Sequence, residues 1–323
     1  MKRFKHYDAH TVEEAAQLLA DFEGRAEIIA GGTDIVGKFK DEILSELPEA
    51  LINIKTIEGL DYIKEESGML KIGSMALLHD IYNNEVVREK YGALAGAARR
   101  TASPHIREMG TIGGNLCQDC RCWYYRMENN RFDCVRKGGE DCFAEEGENR
   151  YHSIFGDVKD CLAVHPSDMA PAVIALEGKI KTTKRVIEAK DFYQDEEPEY
   201  FTVLEPDEIV VEIQIPEPPK NSKSEFIKFA IRESIDFPIL NCAVMVVKDK
   251  DKVKKANICL NAVYANPVIA EKGMEYLKGK KLDVKTAKEA AEKSLEDAEA
   301  LDHNEYKIQA AKGIIKKTLL KCK

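Results

Sequence analysis

Gly110-Thr-Ile-Gly-Gly-Asn115 opens the most informative part of the chain. Six of the nine cysteines follow between positions 117 and 161, and His165-Pro-Ser-Asp168 comes directly after them. Glycine lets the backbone approach a ligand without a Cβ and adopt positive φ. The pattern therefore predicts a turn whose bare N–H groups bind an anion such as a pyrophosphate, although the same residues are also typical of an ordinary tight turn.

The cysteine-rich segment contains enough sulfur to ligate a metal centre. In a secreted chain it would instead indicate a disulfide framework. Residues 1–8 are partly basic but contain no apolar segment, so they do not form a secretion signal. This predicts a cytoplasmic protein whose clustered thiols stay reduced and bind metal. The remaining cysteines, Cys242, Cys259 and Cys322, are interpreted as buried structural thiols.

Length and composition exclude several classes of protein. The 323 residues predict two or three subdomains, and the 44% hydrophobic and 33% charged residues are typical of a globular protein. No apolar run approaches the roughly 20 residues of a membrane helix, so no membrane span is expected. A net charge of −9, without a basic stripe, argues against a nucleic-acid partner.

A second glycine turn, Gly31-Gly-Thr-Asp34, lies about 80 residues before the first. It follows a predicted strand at 26–30 and precedes the apolar pair Ile35-Val36, an order that suits phosphate binding at the start of a helix. The turn lacks both the G-x-G-x-x-G of a dinucleotide fold and the Lys-Ser/Thr of a P-loop. Together, the two turns could hold a ligand with two phosphates.

The other elements follow from caps, periodicity and breakers. Thr11-Val-Glu-Glu14 is a capping box that starts a helix, Ser167 caps another helix, and Pro216 to Pro219 mark a linker. Predicted strands span 50–54, 70–73, 179–183, 209–215, 226–231, 240–247 and 253–262; predicted helices span 76–82, 91–102, 267–277, 284–299 and 304–320. Three strands followed by three helices indicate a separate α+β unit at the end of the chain.

Four motifs in order resemble one known family. Ile29-Ala-Gly-Gly-Thr-Asp-Ile-Val36, Ile106-Arg107 leading into Gly110 to Asn115, Ser167-Asp168 leading into Pro171, and Lys228-Phe-Ala-Ile-Arg232 look like the FAD-binding subunit of the molybdenum hydroxylases. This is the xanthine dehydrogenase and carbon monoxide dehydrogenase flavoprotein family. The resemblance covers essentially the whole chain.

The resemblance implies an α+β fold in three parts. An FAD-binding domain of the vanillyl-alcohol oxidase type would have two subdomains, at 1–55 and 56–217, and a C-terminal flavoprotein domain at 222–323 would combine a three-stranded sheet with a three-helix bundle. The two glycine loops would hold the FAD pyrophosphate. Thr101 would lie against the nucleotide, Asp168 would accept a hydrogen bond from the hydroxyl-rich portion, Val210 would pack nearby, and Lys228 would approach the flavin. The implied FAD-binding residues are Ile29, Ala30, Gly31, Gly32, Thr33, Asp34, Ile35, Val36, Thr101, Thr111, Gly113, Gly114, Asn115, Asp168, Val210 and Lys228.

The chain departs from the ordinary family pattern at about 117–164, where some 40 extra residues intervene. This insertion looks like that of the 4-hydroxybenzoyl-CoA reductase β subunit type, in which the loop carries a [4Fe–4S] cluster; a similar loop occurs in some periplasmic aldehyde oxidoreductases. The resemblance implies four ligands with 11, 7 and 18 residues between them, namely Cys122, Cys134, Cys142 and Cys161. Cys117 or Cys120 could replace one of them, and a structural zinc site is the alternative.

The implied function is electron transfer without a catalytic side chain in this chain. Substrate chemistry would occur on a molybdenum-cofactor subunit. This chain would relay electrons between the clusters of a [2Fe–2S] subunit and an external carrier, either ferredoxin or NAD, through FAD and the [4Fe–4S] cluster. A dimer of heterotrimers is implied as well. The alternatives are the FAD subunit of a xanthine dehydrogenase or aldehyde oxidoreductase, a stand-alone flavoprotein oxidase, and a zinc-stabilised assembly module.

Overall fold

The computed structural model describes residues 3–323. Met1 and Lys2 lie outside the described residues. They belong to residues 1–8, for which no secretion signal is predicted, and to the predicted first subdomain. Within the described range, twelve β-strands form three sheets and eleven α-helices accompany them. No helix in this range is both long and apolar enough to span a membrane.

The N-terminal unit is a parallel sheet with two crossover helices. Its elements are β1 (Lys5–Asp8), α1 (Val12–Asp21), β2 (Ala26–Ile29), α2 (Ile35–Lys40) and β3 (Ala50–Asn53). The strands are ordered β1-β3-β2. The predicted cap of α1 is confirmed, because the Thr11 hydroxyl accepts the Glu14 N–H at 3.0 Å. The Glu14 carboxylate, however, accepts the N–H of His10 at 2.7 Å, one residue before the position expected in a capping box.

The second unit is a five-stranded antiparallel sheet with six short helices. Its elements are β4 (Ile63–Glu66), β5 (Met69–Gly73), α3 (Leu78–Asn83), α4 (Glu85–Lys90), α5 (Gly92–Arg100), α6 (Pro104–Arg107), α7 (Ile112–Leu116), α8 (Met169–Ala175), β6 (Lys179–Thr182), β7 (Val186–Glu188) and β8 (Val210–Pro216). The strand order is β4-β5-β8-β6-β7. The sequence prediction missed β4, a mostly exposed edge strand that reaches β5 through a turn in which Ser67 and Gly68 both have positive φ.

The C-terminal unit is a sheet covered by three helices. Its elements are β9 (Ser222–Phe229), β10 (Leu240–Asp249), β11 (Lys252–Asn261), β12 (Val268–Ile269), α9 (Glu271–Leu277), α10 (Val284–Lys293) and α11 (Glu305–Lys321). The prediction of a three-stranded sheet is wrong, because β12 pairs with β11 and makes a fourth strand. A strand of two residues is too short to show the alternation that reveals strands in a sequence. Ala287, Ala290 and Ala291 of α10 are buried in the core of this unit.

The insertion at 117–164 folds into loops around a small core that it shares with residues from other parts of the chain. Its regular structure consists of two short 3-10 turns, at Glu128–Asn130 and Val135–Lys137. The core contains cysteines and Tyr125. Several hydrogen bonds attach the insertion to the C-terminal unit. Among them, the Ile154 N–H donates to the Val263 carbonyl at 2.9 Å, and the fully buried Lys307 of α11 donates to the His152 carbonyl at 2.7 Å.

Candidate functional site

The first glycine loop connects β2 to α2. Gly31 and Gly32 are half-buried and Thr33 is exposed, while Gly32 has a φ of +73° that favours glycine. Gly31 packs directly against Met109, the residue before the second glycine loop. A Cβ on Gly31 would be 1.9 Å from the carbonyl oxygen of Met109. The loop can therefore approach its neighbour only because residue 31 has no side chain.

The second glycine loop lies at the other side of this contact. The Thr111 hydroxyl accepts the Gly114 N–H at 3.1 Å and so caps α7. A Cβ on Gly113 would be 2.9 Å from the carbonyl oxygen of Ser74, so this glycine is also required by close packing. Gly114 is exposed. The two loops that the sequence analysis singled out thus adjoin each other and leave backbone accessible at both.

A chain of buried polar contacts leads from the second loop to the C-terminal unit. The amide oxygen of Asn115 accepts the Ser167 hydroxyl at 2.7 Å. Asp168, the next residue, pairs with Lys228 at 2.6 Å and accepts the Asn241 amide at 2.8 Å. Burial raises the pKa of Asp168, although the positive charge of Lys228 opposes this shift. Three predicted site residues, Asn115, Asp168 and Lys228, are therefore joined across three parts of the chain, the first two through Ser167.

The remaining predicted residues differ in exposure and in the elements that hold them. Lys228 also donates to the carbonyl of Arg100 at 3.2 Å, which places it beside Thr101 at the end of α5. Thr101 is buried and its hydroxyl donates to the Ala97 carbonyl at 2.9 Å. Val210 begins β8 within the main core. In the first loop, Ile35 packs into a small core, whereas Val36 is 43% exposed.

The four predicted cysteine ligands line one cavity in the insertion. Cys122, Cys134, Cys142 and Cys161 line this small cavity together with aromatic side chains. Burial raises the pKa of three of these thiols, that of Cys161 to about 12. A metal centre would supply the positive charge that deprotonation of such buried thiols requires. Cys117 and Cys120 do not line this cavity.

The cysteines surround a space and do not converge on a point. Among residues 3–323, no three His, Cys, Asp or Glu side chains come close enough together to hold a single metal ion. A structural zinc ion would need four ligands, with its sulfurs about 2.3 Å from one centre. The four cysteines therefore line one cavity without forming a site for a single metal ion within residues 3–323.

A network of charges connects the insertion to the first glycine loop. The Asp34 carboxylate accepts Arg121 and Arg126, each at 2.8 Å, and the N–H of Asp119 at 2.9 Å. Asp119 in turn pairs with Arg136 at 3.0 Å. Burial alone would raise the pKa of Asp119, but the nearby positive charges, that of Arg136 above all, hold it far below its usual value.

Sequence reasoning missed this network. The only signal was a group of charged residues, at 119, 121 and 126, inside an otherwise aromatic and cysteine-rich segment. Their partner Asp34 is more than eighty positions away. Nothing local in the sequence indicates that pairing.

A second, larger cavity lies beside the cysteine cavity. It is lined by both the insertion and the loop between β9 and β10. Trp123 lies here and is 48% exposed. Tyr124 and Tyr125 line the cysteine cavity. Cys122 and His152 line both cavities and so form the boundary between them.

Comparison with known proteins gives family matches over nearly the whole chain. Residues 2–218 match the FAD binding domain in molybdopterin dehydrogenase. Residues 225–322 match the CO dehydrogenase flavoprotein C-terminal domain. The boundary between the two matches falls at the proline-rich linker that follows β8.

Individual relatives have the same arrangement. The aldehyde oxidoreductase FAD-binding subunit PaoB of Escherichia coli is 35% identical over 257 residues, which are 77% of this chain and 79% of the relative. The nicotinate dehydrogenase FAD-subunit of Eubacterium barkeri is 30% identical and covers 98% of this chain and 95% of its own. The solved carbon monoxide dehydrogenase of Hydrogenophaga pseudoflava matches with a TM-score of 0.79 and 25% identity, over 99% of this chain and 97% of its counterpart.

Proposed function

Because this chain belongs to the family of FAD-binding subunits of molybdenum hydroxylases, we propose that it relays electrons between the [2Fe–2S] subunit of its complex and an external carrier through FAD and an additional [4Fe–4S] cluster. Its relatives are FAD subunits of oxidoreductases in which catalysis occurs on a partner subunit. FAD exchanges electrons singly or in pairs, and the cluster adds a one-electron carrier. This chain's own residues bind, orient and shield these groups.

The glycine loops are the proposed pyrophosphate site. They adjoin through Gly31, they leave Thr33 and Gly114 exposed, and backbone N–H groups without nearby side chains suit a phosphate anion. The proposed roles of Thr101 and Lys228 rest on their positions around the Asp168 pair, and that of Val210 rests on the family resemblance. Both oxygens of Asp168 already accept protein hydrogen bonds, so its proposed bond to the ligand would use a second lone pair.

One observation carries the cluster proposal: the four cysteines implied by the family resemblance line a single cavity. These residues are far apart in sequence, at 122, 134, 142 and 161, so their meeting is not a consequence of chain proximity. Four thiolates are what a [4Fe–4S] cluster requires. Tyr124 and Tyr125 would exclude water from it, which supports a buried redox centre.

Replacing one ligand tests this proposal. We expect Cys134→Ser to lower the iron content from about four per chain and to remove the broad visible absorbance of the cluster, while FAD stays bound. Cys120→Ser is the matched control, because Cys120 is buried in the same insertion but does not line the cavity. Unchanged iron in the Cys134 variant would show that the ligand assignment is wrong; loss of iron in the control would identify Cys120 as a ligand.

The identity of the complex is a separate proposal with two candidates. One candidate is the 4-hydroxybenzoyl-CoA reductase type, in which the partner subunit would reduce an aromatic thioester; the cysteine insertion is compatible with it but resembles that of some aldehyde oxidoreductases as well. The 35% identity to an aldehyde oxidoreductase subunit favours an aldehyde as the partner's substrate. Purifying the complex with its molybdenum and [2Fe–2S] subunits, and assaying both substrate classes with NAD and ferredoxin as carriers, distinguishes the two.

We also propose the domain division at 1–55, 56–217 and 222–323, because each segment contains one of the three sheets. The vanillyl-alcohol oxidase type of the first two segments and the dimer of heterotrimers are proposed from the family resemblance. Cytoplasmic location is proposed because all nine cysteines are free thiols, as a reducing compartment requires.

A further inference from the structure

His152 lies at the wall between the cysteine cavity and the larger cavity. Its Nε2 is 3.3 Å from the sulfur of Cys122, and only 5% of the residue is exposed. Hydrogen bonds fix the backbone of His152, since its N–H donates to the Asn149 carbonyl at 2.9 Å and its carbonyl accepts a hydrogen bond from Lys307. The imidazole is thus fixed against one specific cysteine.

The hydrogen bonds of the ring indicate where its proton lies. Within residues 3–323, the buried Nδ1 has no hydrogen-bond partner, whereas Nε2 faces the sulfur of Cys122. A neutral imidazole carries one N–H. Burying an N–H that has no acceptor costs more free energy than burying an unprotonated ring nitrogen that has no donor. The favoured tautomer therefore has its proton on Nε2, where it donates to the sulfur.

We propose that His152 sets the reduction potential of the cluster by donating this N–H to Cys122, an inference that rests on the proposed function. Reduction adds one negative charge to a cluster and its thiolates. A fixed donor stabilises the more negative state more strongly, and hydrogen bonds to the ligating sulfurs are one of the levers that set cluster potentials. His152 therefore makes the cluster easier to reduce.

The test uses two replacements of nearly equal shape. Gln can place an N–H close to the position of the imidazole Nε2, whereas Met has the same unbranched length without a donor. We expect His152→Met to lower the ratio of reduced to oxidised cluster about tenfold at a fixed ambient potential. This corresponds to a reduction potential lower by about 59 mV for a one-electron couple. His152→Gln should stay close to the wild type. Redox titration of the full-length chain, followed by the electron paramagnetic resonance of the reduced cluster, measures both.

Three outcomes are decisive. A lower potential in the Met variant alone, with iron unchanged at about four per chain, supports the inference. Equal potentials in all three proteins, with iron retained, overturn the inference and leave the proposed cluster intact. Wild-type protein without iron overturns the cluster and the role of His152 with it.

Discussion

Replacing Gly31 with alanine should separate the two glycine loops. The added Cβ would lie 1.9 Å from the Met109 carbonyl oxygen and 2.8 Å from the carbonyl carbon of that residue. An ordinary C···O contact is about 3.3 Å, so the loops would have to move apart by roughly 1.4 Å. The obstacle is backbone and not a flexible side chain, which means that local rotamer changes cannot relieve it. Overpacking of this kind typically costs about 1–3 kcal/mol.

The same displacement should weaken FAD binding, because the loops would no longer face one ligand together. If the whole cost of the overpacking, about 1–3 kcal/mol, is lost from the free energy of FAD binding, the binding becomes roughly 5- to 150-fold weaker. Fluorescence titration of the apoprotein with FAD measures this change. Gly37→Ala is the matched control: Gly37 lies six residues away inside α2, a Cβ there meets nothing within 4 Å, and the substitution should stabilise the chain by at most about 1 kcal/mol. Wild-type FAD affinity in the Gly31 variant would refute the reasoning.

Two further predictions concern buried charges. Burial lowers the pKa of Lys307 from 10.5 to about 7, so between these pH values the unfolded chain binds more protons than the folded chain. The free energy of unfolding should therefore rise with pH above 7, by up to about 1.4 kcal/mol per pH unit. Urea unfolding at pH 7 to 9 should show a weaker dependence of this free energy on pH for Lys307→Met. Arg136→Met leaves the carboxylate of Asp119 without its strongest partner and should cost about 3–5 kcal/mol. Adding Asp119→Asn should recover part of that loss in a double-mutant cycle, and full additivity would contradict the pairing.

Local signals in the sequence were sufficient to predict most elements and both glycine loops. Glycine pairs, caps and hydrophobic periodicity act over a few residues, so Thr11, Gly31 and Gly113 could be interpreted without knowledge of the fold. The proximity of the two loops was only a hypothesis, because the contact between Gly31 and Met109 depends on how two sheets are placed relative to each other. Strands β1, β4 and β7 were missed because they are short and mostly exposed, and β12 was missed because it is two residues long.

The cysteine ligands could be proposed only through the family resemblance. Spacing alone left six candidates between positions 117 and 161, and sulfur content does not distinguish them. What separates Cys120 from Cys122 is the direction in which each side chain points, and that depends on the fold of the insertion. The charge network around Asp34 could not be predicted from local sequence either, because its members are paired across long stretches of chain.

Asp34 shows why the insertion and the flavin loop are best considered as one structure. It belongs to the glycine loop by sequence, yet both of its oxygens accept hydrogen bonds from the insertion: Arg121 and Arg126 bind one oxygen, and the Asp119 N–H binds the other. A carboxylate beside a pyrophosphate site would repel the ligand if it were unpaired. The two guanidinium groups remove that repulsion. An insertion that failed to fold would therefore expose a negative charge beside the proposed FAD phosphates, so the cysteine loop supports flavin binding even before any metal is considered.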